Sequence, residues 1–103
     1  MGSVDVGIYT CSLWRIREGE EMAFLEGFKQ FTRAADALGE AREGWVLQGL
    51  DEPGLFLAVR RWNSAEAVER WSSSEEHQAA AKALGDHEAS EAHIMTRVAD
   101  LPA

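Results

Sequence analysis

The sequence predicts an α+β fold in which a four-stranded antiparallel sheet carries helices on one face. Four segments are rich in β-branched, aromatic and leucine residues, as strands are, and two segments repeat apolar residues at steps of three and four, as helices do. The turn signature Asp51-Glu52-Pro53-Gly54 joins two strand-like segments, which should therefore form an antiparallel hairpin. The resulting order, β-α-β-β-α-β, is the ferredoxin-like arrangement, and residues 1–103 are enough for one domain.

The first predicted strand runs from Val4 to Ile16 and contains no proline. Side chains alternate along a strand, so its two faces have different neighbours. One face carries Val6, Ile8, Thr10, Ser12, Trp14 and Ile16, and the other carries Tyr9, Cys11, Leu13 and Arg15. Because both faces are largely apolar, we expect helices to cover one face and something else, such as a second subunit, to cover the other.

The first predicted helix spans about Glu20 to Leu38. Its apolar residues recur at helical spacing and form one stripe: Phe24, Leu25, Phe28, Phe31, Ala35 and Leu38. Acidic residues in its first turn suit the positive end of the helix dipole, and Gly39 is a suitable C-cap. A helix with a single apolar stripe should lie on the sheet.

Gly44 to Leu50 is the second predicted strand, and Leu55 to Trp62 is the third. The third strand runs directly into a helix start at Asn63-Ser64, since either side chain can accept a hydrogen bond from the first turn. This helix extends to about Ser72. It places Trp71 on the same side as Ala65 and Val68, so Trp71 should face the sheet.

The last third of the chain contains a short helix and a strand. The helix runs from Glu75 to Leu84, is capped by Ser73 or Ser74, and ends near Gly85. A polar connection follows at residues 86–90, and residues 93–98, HIMTRV, are predicted to form the fourth strand.

The composition excludes several classes of function. The formal net charge of −8 opposes binding to nucleic acid and to anionic membrane surfaces. No apolar run approaches the length of a membrane span, and the N-terminus lacks a signal-peptide pattern, so we expect a cytoplasmic location. Cys11 has no disulfide partner, and three scattered histidines without a second cysteine do not predict a zinc site.

Three stretches carry a resemblance to a known family: the turn from Arg15 to Gly19, the segment FLAVRRWNSAEA at residues 56–67, and the segment RWSSSEEHQ at residues 70–78. Over nearly its whole length the chain resembles the antibiotic biosynthesis monooxygenase-like domains of the dimeric α/β-barrel superfamily. The resemblance implies a homodimer in which two sheets face each other and form a barrel. It also implies a cleft between sheet and helices that binds a flat aromatic substrate.

The enzymes that the sequence resembles fall into two branches. Some oxidise anthrone-type polyketides with molecular oxygen and use neither metal nor flavin, whereas others bind haem and degrade it. Trp71 matches the helix tryptophan that lines the cleft in both branches. The haem-degrading branch also has an asparagine on the first strand and a histidine ten residues beyond the tryptophan, where this chain has Ser12 and Ala81. His77 and His87 lie at other spacings, so no iron ligand is predicted.

We therefore predict catalytic roles for Trp71 and Ser12 and no bound cofactor or metal. The predicted substrate-binding residues are Thr10, Trp14, Phe28, Arg60, Arg61 and His77. Each has a simpler alternative: core packing for the aromatic residues, backbone hydrogen bonds for the hydroxyls, salt bridges for the arginines and a solvated position for His77. Alternation along the third strand places one arginine on each face of the sheet without saying which faces the cleft.

The resemblance implies a cofactor-independent monooxygenase that oxidises a polycyclic phenolic, anthrone-like metabolite with O2. One alternative is a non-catalytic dimeric protein that binds a small hydrophobic ligand, and another is a haem-binding relative. In each case the predicted partners are a second copy of the chain and a small aromatic or hydrophobic molecule. The sequence leaves the identity of that molecule open.

Overall fold

The computed structural model describes residues 7–102 and contains four strands and three α-helices. In chain order the elements are β1 (Ile8–Arg15), α1 (Glu21–Asp36), β2 (Ala41–Gln48), β3 (Leu55–Trp62), α2 (Ala65–Ser72), α3 (Glu75–Ala80), a 3₁₀ turn (Ala81–Leu84) and β4 (Ala89–Thr96). This is the predicted β-α-β-β-α-β order, with the second helix divided as expected. Within the described range, no helix is both long enough and apolar enough to cross a membrane.

The four strands form one antiparallel sheet in the order β2-β3-β1-β4, which confirms the ferredoxin-like α+β fold. Strand β1 lies at the centre, where Ser12 pairs with Ala58 of β3 on one side and with Ala92 of β4 on the other. Strands β2 and β4 form the two edges. The predicted hairpin between β2 and β3 is therefore confirmed.

The third strand has the predicted bounds, but both edge strands begin earlier than predicted. Strand β2 starts at Ala41 and β4 at Ala89, although we expected Gly44 and His93. Their first residues are polar or small because edge strands are exposed, so they lack the apolar signal of a strand. Irregular pairing also breaks the pattern, between Ala41 and Gly44 in β2 and opposite Trp14 for β4.

The ends of the other elements differ slightly from those predicted. Strand β1 begins at Ile8 and ends at Arg15, and the predicted residues Val4 to Val6 lie outside the described range. Helix α1 is shorter than predicted by one residue at its start and two at its end. The predicted last helix becomes 3₁₀ from Ala81 onward and ends at Leu84, and Gly85 follows as its C-cap with φ of +64°.

One face of the sheet packs against the helices and forms the core. Near the end of α1, Trp62, Val68 and Trp71 make one buried cluster with Ala35. Near the start of α1, a second cluster contains Trp14, Ile16, Phe24 and Phe56. The alternation predicted for the first strand is therefore correct, since Trp14 and Ile16 belong to the helix-covered face.

None of the helices within residues 7–102 covers the opposite face, which we call the outer face. Cross-strand pairing places residues of all four strands on it, and the apolar members are Tyr9, Cys11, Leu13, Trp45, Leu47, Leu55, Leu57, Val59 and Met95. Three of the largest are substantially exposed: Trp45 (47%), Leu47 (53%) and Met95 (53%). A contiguous apolar surface of this kind is typical of an interaction site.

Candidate functional site

A cavity of about 560 Å³ lies between the sheet and the helices. Such a volume is in the usual range for small-molecule sites. Six aromatic residues line it: Trp14, Phe28, Phe31, Trp45, Trp62 and Trp71. Polar residues of β1, β3 and α3 contribute Thr10, Ser12, Arg60 and His77. The cavity therefore contains all but one of the residues that the sequence suggested, Arg61 being the exception.

Helix α2 holds Trp71 at the cavity wall. The helix begins because the Ser64 hydroxyl accepts a hydrogen bond from Ala67 N at 3.1 Å, which satisfies one free N–H of its first turn. Trp71 lies in its last turn and is 5% exposed. Its ring centroid is 5.7 Å from that of Phe31 on α1 and 5.0 Å from that of His77 on α3. Trp71 thus joins all three helices at one end of the cavity.

Two hydroxyl groups of β1 lie on the cavity floor, and each is paired with a tryptophan. Trp14 Nε1 donates to Ser12 Oγ at 2.8 Å, and Trp62 Nε1 donates to Thr10 Oγ1 at 3.0 Å. A hydroxyl can accept and also donate, whereas an indole N–H only donates. Within residues 7–102 neither hydroxyl donates to a protein group, so each still has a proton to offer to a ligand.

The wall formed by α1 consists of aromatic rings. Phe28 lies 5.7 Å from Trp14 and 5.8 Å from Phe31, measured between ring centroids. Phe24 lies behind them, 5.1 Å from Trp14, and is buried. Tilted and edge-to-face contacts of this type fix the rings in place, so they form a rigid apolar surface that a flat ligand can contact.

The structure decides which arginine faces the cavity. Arg60 is opposite Thr10 on the helix-covered face, where it lines the cavity, bonds to the carboxylate of Asp36 and donates to the carbonyl oxygen of Arg42. Arg61 lies on the outer face and pairs with Glu43 at 2.9 Å. We therefore keep Arg60 as a candidate and correct the prediction for Arg61, whose side chain points away from the cavity because strand residues alternate.

His77 also lines the cavity, as its proposed substrate-binding role requires, and does not occupy the solvated position that was the alternative. The first turn of α3 places it there, because the Ser74 hydroxyl accepts a hydrogen bond from His77 N at 3.0 Å. Its ring is 5.0 Å from Trp71 and 5.4 Å from Phe31, in edge-to-face geometry with both. Burial lowers the pKa of His77 from its ordinary value of 6.5, so the imidazole is neutral at pH 7.

Phe31 and Trp62 were not among the predicted site residues, although both line the cavity. Phe31 is one turn beyond Phe28 on the same stripe of α1, and Trp62 follows Arg60 at strand spacing. Those two periodicities could have identified them. His93, by contrast, is on the outer face, where its Nε2 is 3.0 Å from Glu91.

Within residues 7–102, one cluster has the residue types of a metal site: Glu20, Asp86 and His87. The guanidinium of Arg17 already binds both carboxylates, at 3.0 Å from Glu20 and 3.2 Å from Asp86. These contacts lower the pKa of Glu20 and of Asp86. Arg17 supplies the positive charge that a metal ion would bring, so we assign this cluster a structural role.

The comparisons with known proteins agree with this architecture. The family model described as antibiotic biosynthesis monooxygenase matches residues 11–83. A search of curated protein sequences finds no significant match.

Among solved structures, SnoaB, described as a cofactor-independent oxygenase from Streptomyces nogalater, has a TM-score of 0.82 and 16% identity, covering 94% of this chain and 98% of its own. A putative antibiotic biosynthesis monooxygenase from Bordetella bronchiseptica has a TM-score of 0.76 and 15% identity, with coverages of 92% and 98%. A conserved protein from Methanosarcina mazei Go1 has a TM-score of 0.72 and 16% identity, with coverages of 92% and 96%. At these identities the structures establish a common fold. Because the family model covers most of the sequence, the chain belongs to the antibiotic biosynthesis monooxygenase family.

Proposed function

We propose that this protein is a cofactor-independent monooxygenase that oxidises a polycyclic phenolic, anthrone-like metabolite with O2. The observation that carries the proposal is the cavity of about 560 Å³, which has aromatic walls and only a few polar groups on its floor. A flat, mostly apolar molecule with few oxygen atoms matches such a lining. The likeness in fold to SnoaB, described as a cofactor-independent oxygenase, supports the same reaction class.

The polar groups of the floor indicate how the substrate is held. Ser12 and Thr10 each accept a hydrogen bond from a tryptophan N–H, so towards the cavity they can donate their own O–H. They are two residues apart on one face of β1, which separates them by roughly 7 Å. The substrate should therefore present acceptor oxygens, such as a carbonyl and a phenolate, on one edge of its ring system. Trp71 and Phe28 would contact the ring faces.

The proposed reaction needs the substrate as an enolate or phenolate anion. Hydroxyl donors aimed at the oxygen stabilise this anion, most strongly where water is excluded. The charge of Arg60 contributes less, because Asp36 already partly neutralises it. The anion passes one electron to O2, and the carbon radical and superoxide then combine to form a C–O bond. Protonation of the peroxide and loss of water break the O–O bond and leave a new carbonyl group, so one oxygen atom enters the product and the other leaves as water.

Oxygen consumption with anthrone-type substrates tests this proposal. The Trp71→Ala variant should lose at least about tenfold in rate, because it removes the ring that borders both α1 and α3, whereas Trp71→Phe should retain more activity. Gln78→Ala, an exposed change on α3, serves as a control that should keep wild-type activity. No oxygen uptake by the wild type, or equal rates for wild type and Trp71→Ala, would remove the proposed function.

We also propose that the protein is a homodimer in which the outer faces of two sheets meet. The exposed apolar side chains of Trp45, Leu47 and Met95 support this arrangement, because a second copy would bury them. Light scattering should give twice the mass of the chain, and a stable monomer would contradict the proposal. The cytoplasmic location and the lack of a nucleic-acid partner remain predictions.

The second candidate function is binding of a small hydrophobic ligand without chemistry. It is favoured by the pairing of Ser12 and Thr10 with tryptophans, which gives both hydroxyls a structural role that needs no reaction. A ligand extracted from the purified protein and recovered unchanged after incubation in air would support binding over oxidation.

A haem-degrading activity fits the cavity less well. The position ten residues beyond Trp71 is Ala81, which lines the cavity but has no atom that can bind iron. His77 is the imidazole that lines the cavity, six residues beyond Trp71. Addition of haemin to wild type and to His77→Gln tests this alternative: a Soret band of a histidine-bound complex that is lost in the variant would support haem binding, and no such band in wild type would oppose it.

A further inference from the structure

His77 differs from the other ionisable side chains of the cavity in having no polar partner. Within residues 7–102 the other ionisable groups of the lining are all paired: Lys29 with Glu26, Arg42 with Asn63, Glu43 with Arg61, and Arg60 with Asp36. Neither ring nitrogen of His77 has a hydrogen-bond partner among the described residues; the contact with Ser74 is made by its backbone N–H. The imidazole is therefore the ionisable group of this lining that is not already engaged by the protein.

The surroundings of His77 suit a group that gains a proton. Burial favours the neutral imidazole, in which one ring nitrogen is a free acceptor. Its ring also has a fixed place in the lining, with centroids 5.0 Å from Trp71 and 5.4 Å from Phe31. Once the proton has moved, the negative charge of the substrate anion in the same cavity favours the imidazolium. The site thus keeps the base neutral at rest and lets it hold the proton while the substrate anion exists.

We propose that His77 is the general base of the cavity, which takes the acidic proton of the bound aromatic substrate and returns it to the peroxide. Only the return of the proton to the peroxide rests on the proposed monooxygenase function; removal of the substrate proton does not. In the first step a C–H or O–H bond of the substrate breaks, the proton moves to a ring nitrogen of His77, and the electron pair stays on the substrate as enolate or phenolate. After O2 has added, the imidazolium proton goes to the peroxide oxygen, and His77 is neutral again.

The position of the two hydroxyls complements this role. Thr10 and Ser12 project from β1 on the floor, whereas His77 belongs to α3 in the wall, so both sets of groups reach the same space from different elements. The hydroxyls can donate to the oxygen on which negative charge accumulates while the imidazole removes the proton. This division assigns anion stabilisation to β1 and proton transfer to α3.

A pH profile should show the titration of His77. Activity should fall as pH is lowered through its pKa, which burial places below 6.5, because the protonated ring cannot accept a proton. The charged groups that line the cavity from α1, β2 and β3 are Lys29, Arg42, Glu43 and Arg60. All four are paired within the protein, so we expect His77 to determine the acid limb, the part of the profile in which activity falls at low pH.

The first test compares His77→Gln and His77→Phe with wild type in the oxygen-uptake assay. Glutamine keeps a polar side chain and phenylalanine keeps the ring contacts with Trp71, so at least one variant should remain folded, as checked by circular dichroism. Both should lower kcat about 100-fold with KM changed less than threefold, and both should lose the acid limb. Gln78→Ala, the neighbouring exposed position, should behave as wild type. Variants that keep wild-type kcat and its acid limb would overturn the assignment.

The second test needs no turnover and separates the base from the oxidation. A hydroxyanthraquinone is bound under argon at pH 7, where its absorbance distinguishes phenol from phenolate. Wild type should show a larger phenolate fraction than His77→Gln and His77→Phe, and all three should bind with similar affinity by calorimetry. If this difference appears without any oxygen uptake by the wild type, the proposed oxidation fails and the base assignment stands. The same band in wild type and both variants would refute the base.

Discussion

Replacing Thr10 with valine removes a hydroxyl from the cavity floor with little change in side-chain shape, and we expect it to destabilise the protein. Trp62 Nε1 donates to Thr10 Oγ1 at 3.0 Å, and Trp62 is 4% exposed. Valine cannot accept this hydrogen bond, so the buried indole N–H loses its partner. Leaving such a donor unsatisfied costs about 1–3 kcal/mol. Because the hydroxyl lines a cavity, an entering water molecule could replace it, so we expect a loss of about 1 kcal/mol.

A double-mutant cycle isolates this hydrogen bond. In a Trp62→Phe background the indole N–H is absent, so Thr10→Val should change the free energy of unfolding by less than about 0.5 kcal/mol. The coupling between the two positions should therefore be about 1 kcal/mol, which for a chain of this size shifts Tm by roughly 4–8 °C. Unfolding should be followed by circular dichroism at one protein concentration, since dimerisation would make stability depend on concentration.

Thr32→Val provides a matched control, because among the described residues the Thr32 hydroxyl bonds only to the carbonyl oxygen of Lys29 in its own helix, at 3.1 Å. Its effect should be small beside that of Thr10→Val. The reasoning fails if Thr10→Val leaves the stability of the wild-type background unchanged, or if it costs the same with and without the Trp62 indole.

Four further predictions follow from other contacts. Gly27→Ala should destabilise the protein, because the new Cβ would lie 2.2 Å from the carbonyl oxygen of Ala83 and overpacking costs about 1–3 kcal/mol. This cost opposes the higher helix propensity of alanine, about 1 kcal/mol, and urea unfolding shows which effect is larger. Ser74→Ala should cost about 1 kcal/mol and Ser74→Asp much less, because the side chain caps α3; thermal unfolding compares them. Leu47→Glu should shift the protein to monomers in sedimentation, since it charges the proposed interface. The folded state lowers the pKa of His77, so the unfolded chain binds a proton first as pH falls through 6.5. The free energy of unfolding should therefore decrease below that pH. In His77→Gln, unfolding titrations should show a weaker dependence of this free energy on pH.

Periodicity predicted the fold well because each buried face is marked in the sequence. The alternating side chains from Ile8 to Ile16 and the apolar stripe from Phe24 to Ala35 are both long enough to show which face of each element is buried. The starts of β2 and β4 escaped prediction because edge strands need no apolar residues. The first residues of β2 and β4 form strands because they make hydrogen bonds with a neighbouring strand, and this pairing cannot be read from the local sequence.

The candidate site was predictable where it coincides with a buried face, as for Trp14, Phe28 and Trp71. His77 was harder to place, because its neighbours in sequence are polar and its contact with Trp71 joins two separate helices, α2 and α3. The choice between Arg60 and Arg61 required the sheet register. Contacts between elements, which no local pattern encodes, thus decided the polar part of the site.

The distribution of the four tryptophans gives the protein two separate optical probes. Trp14, Trp62 and Trp71 are buried at the cavity, at 4–5% exposure, and should emit at short wavelength. Trp45 is 47% exposed on the outer face and should emit at long wavelength, although this residue also borders the cavity. A quinone or phenol that enters the cavity should quench the short-wavelength component most strongly, whereas association of two chains should shift the long-wavelength one. Intrinsic fluorescence alone could therefore be used to screen unlabelled metabolites and to follow assembly in the same sample.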